Sequence, residues 1–319
     1  MDLTVCICTH DRPRYVRDCL AGLRRQTAER DRFAVLMVDS ASSATAAIEL
    51  DCLAIACNAR LIRLDQPGVS LARNAGAWAA RTPFIAYIDD DAIPADDWVE
   101  NILAAIAQPG PPPALIGGRI LPKWETPLPA WWPGSLRGVL SIIEHEGSGE
   151  YRTDAVPKGL EPYAANIVVH VLSLIAAGGF GGAIGRYGHS LLSDEEVQLA
   201  WMLQDAGYSV RYDSRITVYH QIQARRLEPE WLLSRLYWQG ASAVLTRRLL
   251  HQPERVWREL PRRLLVAALL GPAWLVPRHS TVLLAARWRV AYAVGFIRAA
   301  LGWHATAAAI QQASVPVAA

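Results

Sequence analysis

Cysteine is scarce in this chain. Five occur in 319 residues, at Cys6, Cys8, Cys19, Cys52 and Cys57, an odd number with no CxxC pair. Most sit inside apolar, element-like runs, which suits reduced, buried thiols in a cytoplasmic protein rather than a disulfide framework. No run of about 18 uninterrupted apolar residues exists, so a membrane span is not expected. The start lacks a basic region followed by an apolar stretch, and a polar THDRP arrives by residue 9, so no signal peptide is expected. No GxGxxG follows the first strand-like segment, which disfavours an NAD-dependent dehydrogenase. Charged residues are only 19% against 52% hydrophobic, enough for a sizeable core and too apolar for extensive disorder. The length fits one large α/β domain plus an appendage, or two modest domains.

The net charge of +2 conceals an asymmetry. From Arg225 to Arg298 there are 13 arginines against 4 glutamates, so the remainder carries about −7. A uniformly basic nucleic-acid binder does not divide its charge this way, and no nucleic-acid partner is expected. A catalytic domain followed by a surface-seeking basic tail does. The natural division is 1–224 and 225–319.

Periodicity places elements along the first part. Leu3–Cys8 reads as a short buried strand, and Tyr15, Val16, Cys19, Leu20 and Leu23 recur on one helical face. Strand-like runs follow at 33–38, 60–64 and 84–88, with a fifth marked by Leu115, Ile116 and Ile120. Helical patterns at 44–53, 69–80 and 97–107 alternate with them. This order predicts an α/β fold with a largely parallel sheet flanked by helices. The stretch 122–163, rich in Pro, Gly and Trp, reads as a long surface excursion. A helical pattern at 193–206 is stopped by Gly207, and a strand is expected at 210–218.

Reactive residues gather where such a sheet binds ligands, beyond the carboxyl ends of its strands. Thr9, His10 and Asp11 follow the first strand, Asp39 closes the second, and Asp89, Asp90 and Asp91 close the fourth. Three adjacent carboxylates repel one another, and a divalent cation relieves that repulsion. In an extended segment Asp89 and Asp91 point the same way, so two oxygens reach one hard ion, Mg²⁺ or Mn²⁺. The alternative is a solvated acidic turn before the next helix.

The motifs together resemble glycosyltransferase family 2, which has the GT-A fold, a Rossmann-like sheet. VCICTHDRP resembles the opening strand and loop, VDSASS the nucleotide-binding turn, GVSLARNAG the third landmark and YIDDDAIP the DxD motif. SDEEVQLAWMLQDAGYSVRY, from Ser193, resembles the segment carrying the family's ED motif. Five motifs in order cover roughly residues 3 to 220. The resemblance implies a metal-dependent, inverting transfer of a sugar from a nucleotide-sugar donor, most often a UDP-sugar. Thr9 and Asp39 would contact the nucleoside, with Asp11 in the same loop. Arg73 would face the diphosphate. Asp89 and Asp90 would complete the donor site, while Asp89, Asp91 and His220, which ends RITVYH, would hold the metal.

A general base must take the acceptor hydroxyl's proton. The ED position falls on Glu195-Glu196, so Glu196 replaces the family's aspartate, and Asp194 and Glu195 are rivals; an acidic first helical turn is the structural alternative. Asn166, in YAANIVV, resembles a segment near the acceptor pocket. Trp131 and Trp132 either form an aromatic platform for the acceptor or pack over the sheet.

Beyond residue 225 the chain is basic and apolar, with arginines 287, 289 and 298 and tryptophans 274, 288 and 303 among aliphatic residues. Such a C-terminal α-helical extension either lies in a bilayer interface, through 262–304, or packs as an appendage. A glycan or lipid-linked acceptor fits the first option, at the cytoplasmic face of a membrane. Two other functions stay open. A sugar nucleotidyltransferase of related fold is disfavoured because CTHDRPRY lacks glycine. A non-catalytic membrane-associated module is disfavoured by the retained carboxylates.

Overall fold

The computed structural model describes residues 1–153, 156–157, 160–181, 191–276 and 283–302. The chain opens with β1 (Leu3–Thr9), α1 (Pro13–Arg24), β2 (Phe33–Ser40), α2 (Ala44–Ala56), β3 (Arg60–Leu64), α3 (Val69–Ala79) and β4 (Phe84–Asp89). A short β5 (Ala92–Pro94), α4 (Trp98–Ile106) and β6 (Leu115–Trp124) follow. After β7 (Ser148–Glu150) come β8 (Asn166–His170), α5 (Val171–Ala176), α6 (Glu195–Asp205) and β9 (Val210–Ile222). The end is helical, with α7 (Pro229–Leu249), α8 (Pro253–Leu270) and α9 (Leu284–Ala300).

Among the described residues the strands form one sheet, ordered β3-β2-β1-β4-β8-β6-β9-β5, with β7 beside β9. The first four are parallel, as their alternation with helices requires. Beyond β4 the sheet is mixed, since β8 runs antiparallel to both β4 and β6. The apolar runs that marked β1, β2 and β4 are buried on both faces. Val16, Cys19, Leu20 and Leu23 of α1 meet that core, on the face periodicity predicted. At Gly76 of α3 an added Cβ would lie 2.5 Å from the Cys6 sulfur, so only glycine lets α3 settle on β1.

Two differences from the sequence reading concern elements. The excursion at 122–163 contains the end of β6, a 3₁₀ segment at Gly134–Leu140 and β7, so it is only partly irregular. The five thiols are free, but only Cys6 and Cys19 are buried, and Cys52 is exposed on α2.

The chain divides into two compact units. One comprises Met1–Glu125, Leu140–Phe180 and Leu199–Ile222 and holds the whole sheet; the other comprises Thr126–Val139, Gly181–Gln198 and Gln223–Ala319. The second has its own small core, in which Ala241, Val244 and Leu245 of α7 meet Phe296 and Ala299 of α9. The two helices cross closely. A Cβ at Gly240 would lie 2.1 Å from the Tyr292 carbonyl oxygen, and one at Gly295 1.8 Å from that of Tyr237.

Candidate active site

Strand register puts the predicted donor residues side by side. Thr9 pairs with Asp39, and Cys8 pairs with Asp89, so three neighbouring carboxyl ends carry Thr9, Asp39 and Asp89. Asp39 is fully buried; it accepts from the Ser42 amide at 3.0 Å and from Arg63 Nε at 2.8 Å. Asp11 turns away from this row. Its carboxylate accepts from the amide and hydroxyl of Ser43, at 2.8 and 2.7 Å, which fastens the first loop to the loop after β2. Those bonds, the hydroxyl's first, hold its pKa below the usual carboxylate value.

The acidic triplet does not act as three equivalent carboxylates. Asp89, half-exposed, faces Arg73 at 3.4 Å. Arg73 itself is buried, with its guanidinium 5.6 Å from the centre of the Phe180 ring. Asn74 fixes that ring's backbone, donating to the Phe180 carbonyl at 3.0 Å and accepting from its amide at 2.8 Å. Asp90 is buried and accepts from the Thr9 hydroxyl and from Arg12 Nη1, both at 2.8 Å. Burial pushes its pKa up to about 6; Arg12 opposes the rise and Asp91 adds to it. Asp91 also accepts from Arg12 Nη1, at 3.0 Å. A guanidinium therefore already answers part of the repulsion for which the sequence offered a metal or a solvated turn.

On its other side Asp91 Oδ1 lies 3.2 Å from His220 Nε2, with both side chains 2% exposed. The backbone fixes this pair: Ala92 of β5 is registered with His220 of β9, and the Gln221 amide donates to the Asp91 carbonyl at 2.7 Å. His220 Nδ1 is 3.0 Å from the Leu140 carbonyl oxygen. A carbonyl only accepts, so Nδ1 carries the proton, and Nε2 of a neutral ring turns a lone pair toward the carboxylate. Two facing acceptors accommodate a positive charge between them, either a second proton or a metal ion. Adjacent ligands of an octahedral Mg²⁺ or Mn²⁺, each about 2.1 Å from the ion, lie about 3 Å apart. A histidine whose other nitrogen donates to a backbone carbonyl is also the usual metal-ligating arrangement. Asp91 and His220 thus fit a divalent ion. Asp89 is not gathered with them, and no cluster of three such residues able to hold an ion occurs among the described residues. The expected Asp89, Asp91 and His220 set is reduced to two, because Asp89 ends β4 and turns to Arg73.

The predicted base candidates open α6. Glu195 and Glu196 are both buried, in its first turn. Asp194 has a left-handed backbone, φ 84°, uncommon for a residue with a side chain. Its carboxylate accepts from the Ser193 hydroxyl at 2.9 Å and from Gln239 Nε2 at 3.1 and 3.2 Å. Burial raises its pKa, against a lowering by Arg235.

Two acceptor-side expectations need revision. Asn166 is wholly buried, and its amide accepts from Trp98 Nε1 at 2.9 Å while donating to the Arg119 and Ile216 carbonyls at 2.9 and 2.7 Å. It ties the sheet together and turns no group toward a substrate. Trp132 is buried and Trp131 half-buried, their rings tilted at 42° with centres 5.4 Å apart. Only Trp131 offers a partial face.

The sequence model of glycosyl transferase family 2 matches residues 4–131, the segment that carries Thr9, Asp39, Arg73 and the acidic triplet. A glucosyl-dolichyl phosphate glucuronosyltransferase of Haloferax volcanii is 25% identical over 250 residues, 76% of each chain. The chain is a glycosyltransferase resembling family 2. A pre-mycofactocin glycosyltransferase of Mycobacterium tuberculosis is 26% identical over 72% of this glycosyltransferase, which spans 46% of that protein. Among solved structures, a mannosyltransferase of Pyrobaculum calidifontis in complex with GDP-Man and Mn²⁺ superposes with a TM-score of 0.58. That match covers 98% of the chain and 85% of the other, at 18% identity. S. aureus TarS in complex with UDP gives 0.52, over 95% and 92%, at 14% identity. Both are likenesses of fold, and the fold is GT-A.

Sequence reasoning overlooked two arginines of the glycosyltransferase. Arg12 lay inside the THDRP loop, and Arg63 is the strand partner of Asp39 across β2 and β3. A register drawn between those strands would have found Arg63. Nothing local marked Arg12.

Proposed function

We propose that this glycosyltransferase moves a sugar from a nucleoside-diphosphate sugar to an acceptor hydroxyl with inversion, using Mg²⁺ or Mn²⁺. The observation that carries the reading is the buried Asp91–His220 pair, whose facing acceptors suit a cation beside the carboxyl ends of β1, β2 and β4. Asp39, held by Arg63, accepts from a base N–H of the nucleoside, with Thr9 alongside. Arg73 and Asp89 flank the diphosphate. Asp91 and His220 would hold the ion, which when bound offsets the charge that gathers on the leaving diphosphate. Glu196 takes the proton from the acceptor hydroxyl, with Glu195 and Asp194 as the alternatives. The oxygen then bonds to the anomeric carbon from the face opposite the diphosphate, whose bond breaks with its electron pair. UDP- and GDP-sugars are the donors to try first. Along the chain the catalytic domain is assigned to 1–224, although Thr126–Val139 and Gly181–Gln198 group with the helical unit, and the helical region to 225–319.

The acceptor is taken to be a glycan or lipid-linked molecule, reached from the cytoplasmic face of a membrane. Support comes from α8. Trp257, Leu264, Leu265 and Leu269 stand exposed on it, the exposed row continues through Trp274, Leu275 and Val276, and Arg255, Arg258 and Arg262 are exposed beside it. Exposed apolar residues interleaved with arginines on one helix fit the headgroup boundary of a bilayer. No helix among the described residues is long and apolar enough to cross a membrane. The contact expected through 262–304 narrows accordingly. α9 is packed against α7, and Arg287 is buried and donates to the Ala273 and Val276 carbonyls. Residues 277–282 and 303–304, including Trp303, lie outside the described residues.

A panel of UDP-, GDP- and dTDP-sugars, scored for diphosphate release with and without a chelator, tests the reading. Release with at least one donor that stops on chelation is expected. Glu196→Gln is expected to keep donor binding and lose transfer. Chelator-insensitive turnover would remove the metal, and wild-type rates for Glu196→Gln would move the base to Glu195 or Asp194.

A further inference from the structure

We propose that Arg12 is the counter-cation of the donor-free site and makes capture of the divalent ion conditional on the nucleotide. The inference rests on the metal reading above. Asp91 divides its two oxygens: Oδ1 faces His220 at 3.2 Å, the place suited to the ion, and Oδ2 accepts from Arg12 at 3.0 Å. The same Arg12 nitrogen bonds Asp90 at 2.8 Å. An ion arriving alone meets a carboxylate whose charge Arg12, shared with Asp90, already offsets in part, with the guanidinium on its far side, and the two cations repel. An ion arriving with a nucleoside diphosphate brings several negative charges, which gives the guanidinium an anionic partner and removes that penalty.

The geometry lets the side chain yield without moving the fold. Arg12 precedes α1, and its carbonyl accepts from the amides of Tyr15 and Val16, so its backbone is anchored. The side chain beyond it is long, 23% exposed, and 5.5 Å from the Tyr15 ring, whose face offers the guanidinium a second resting place. Asp90 and Asp91, 6% and 2% exposed, are too enclosed for solvent to serve as counter-charge in its stead.

The test measures Mn²⁺ binding to the full chain from the resonance of free aqueous Mn²⁺, with and without UDP or GDP. Wild type is expected to bind Mn²⁺ weakly alone and at least about tenfold more tightly with a nucleotide. Arg12→Gln is expected to bind Mn²⁺ about tenfold more tightly than wild type without nucleotide, and to gain less when nucleotide is added. Arg12→Lys, which keeps the charge, stays near wild type. Nucleotide-free affinity in Arg12→Gln no higher than in wild type overturns the inference. So does wild-type binding that is equally tight with and without nucleotide, a result that needs no variant to fold. Absence of Mn²⁺ binding under every condition overturns the metal reading itself, and the inference with it.

Discussion

The sheet unit and the helical unit bury their residues by different rules. In the sheet unit, parallel strands place polar residues at one row of carboxyl ends, and each carboxylate there has an assigned cation: Asp39 with Arg63, Asp89 with Arg73, and Asp90 and Asp91 with Arg12. In the helical unit, α7 and α9 meet through glycines while α8 leaves tryptophan and leucines exposed. One unit gathers its polar residues into a site; the other leaves apolar surface uncovered. If that contrast is functional, damage to the row of carboxyl ends should abolish chemistry, and damage to α7, α8 and α9 should alter location or stability.

The largest effect expected is from Asp91→Asn. The amide keeps the shape but withdraws the charge between Arg12 and His220, so kcat/KM for the best donor should fall about 10³-fold, roughly 4 kcal/mol of transition-state stabilisation. Nucleotide-dependent Mn²⁺ binding should fall with it. A variant with near-wild-type turnover would mean that the Asp91–His220 pair is structural, and the contrast would lose its catalytic half.

Next is the exposed apolar surface of α8. Substituting Trp257, Leu265 and Leu269 together with serine should reduce binding to vesicles of anionic phospholipid about 10²-fold, since each side chain contributes on the order of 1 kcal/mol when partly buried. Diphosphate release with a water-soluble acceptor should hardly change. If the wild type ignores vesicles but forms a dimer that the substitution dissolves, that surface is a protein interface.

What the sequence disclosed follows the same division. β1, β2 and β4 were legible because a strand buried on both faces must be continuously apolar, and the carboxyl-end row followed from their parallel order. Partnerships across the sheet were not legible. Arg12 is 78 residues from Asp90, and no local pattern announces which guanidinium a folded chain brings to which carboxylate. Asn166 was misjudged for the same reason: its three hydrogen bonds reach Trp98, Arg119 and Ile216, all distant in sequence. In α9, arginines among aliphatic residues left an interfacial helix and a packed appendage both open, and a helix apolar nearly all round is commonly a buried one. Arg287 enters that interior because two backbone carbonyls receive its donors.

The helix crossing gives the third test. At Gly295 a methyl group would stand 1.8 Å from the Tyr237 carbonyl oxygen, a backbone atom that moves only with its helix. Gly295→Ala should therefore cost about 2 kcal/mol, lowering Tm by roughly 5 °C. Donor binding should be spared if the sheet unit alone makes the donor site. Loss of both together would show that the two units are energetically one.

The smallest expected effect concerns Asp194, whose part-buried carboxylate is held between Ser193 and Gln239. Burial raises its folded pKa above the ordinary 3.8, so between those two values the folded chain holds a proton that the unfolded chain has released. The stability contributed by that proton is complete below the unfolded pKa and is lost as pH rises through the folded one. An asparagine at this position has no charge to bury, and its side-chain oxygen still accepts from Gln239. The stability difference between Asp194→Asn and wild type, followed by denaturant melts from about pH 4 to 8, should move in favour of the variant as pH rises and then level off. A difference that instead moves toward the wild type would mean that Arg235, which opposes the shift, prevails and holds Asp194 ionised. That outcome would also leave Asp194 a charged rival to Glu196 for the acceptor's proton throughout the working range.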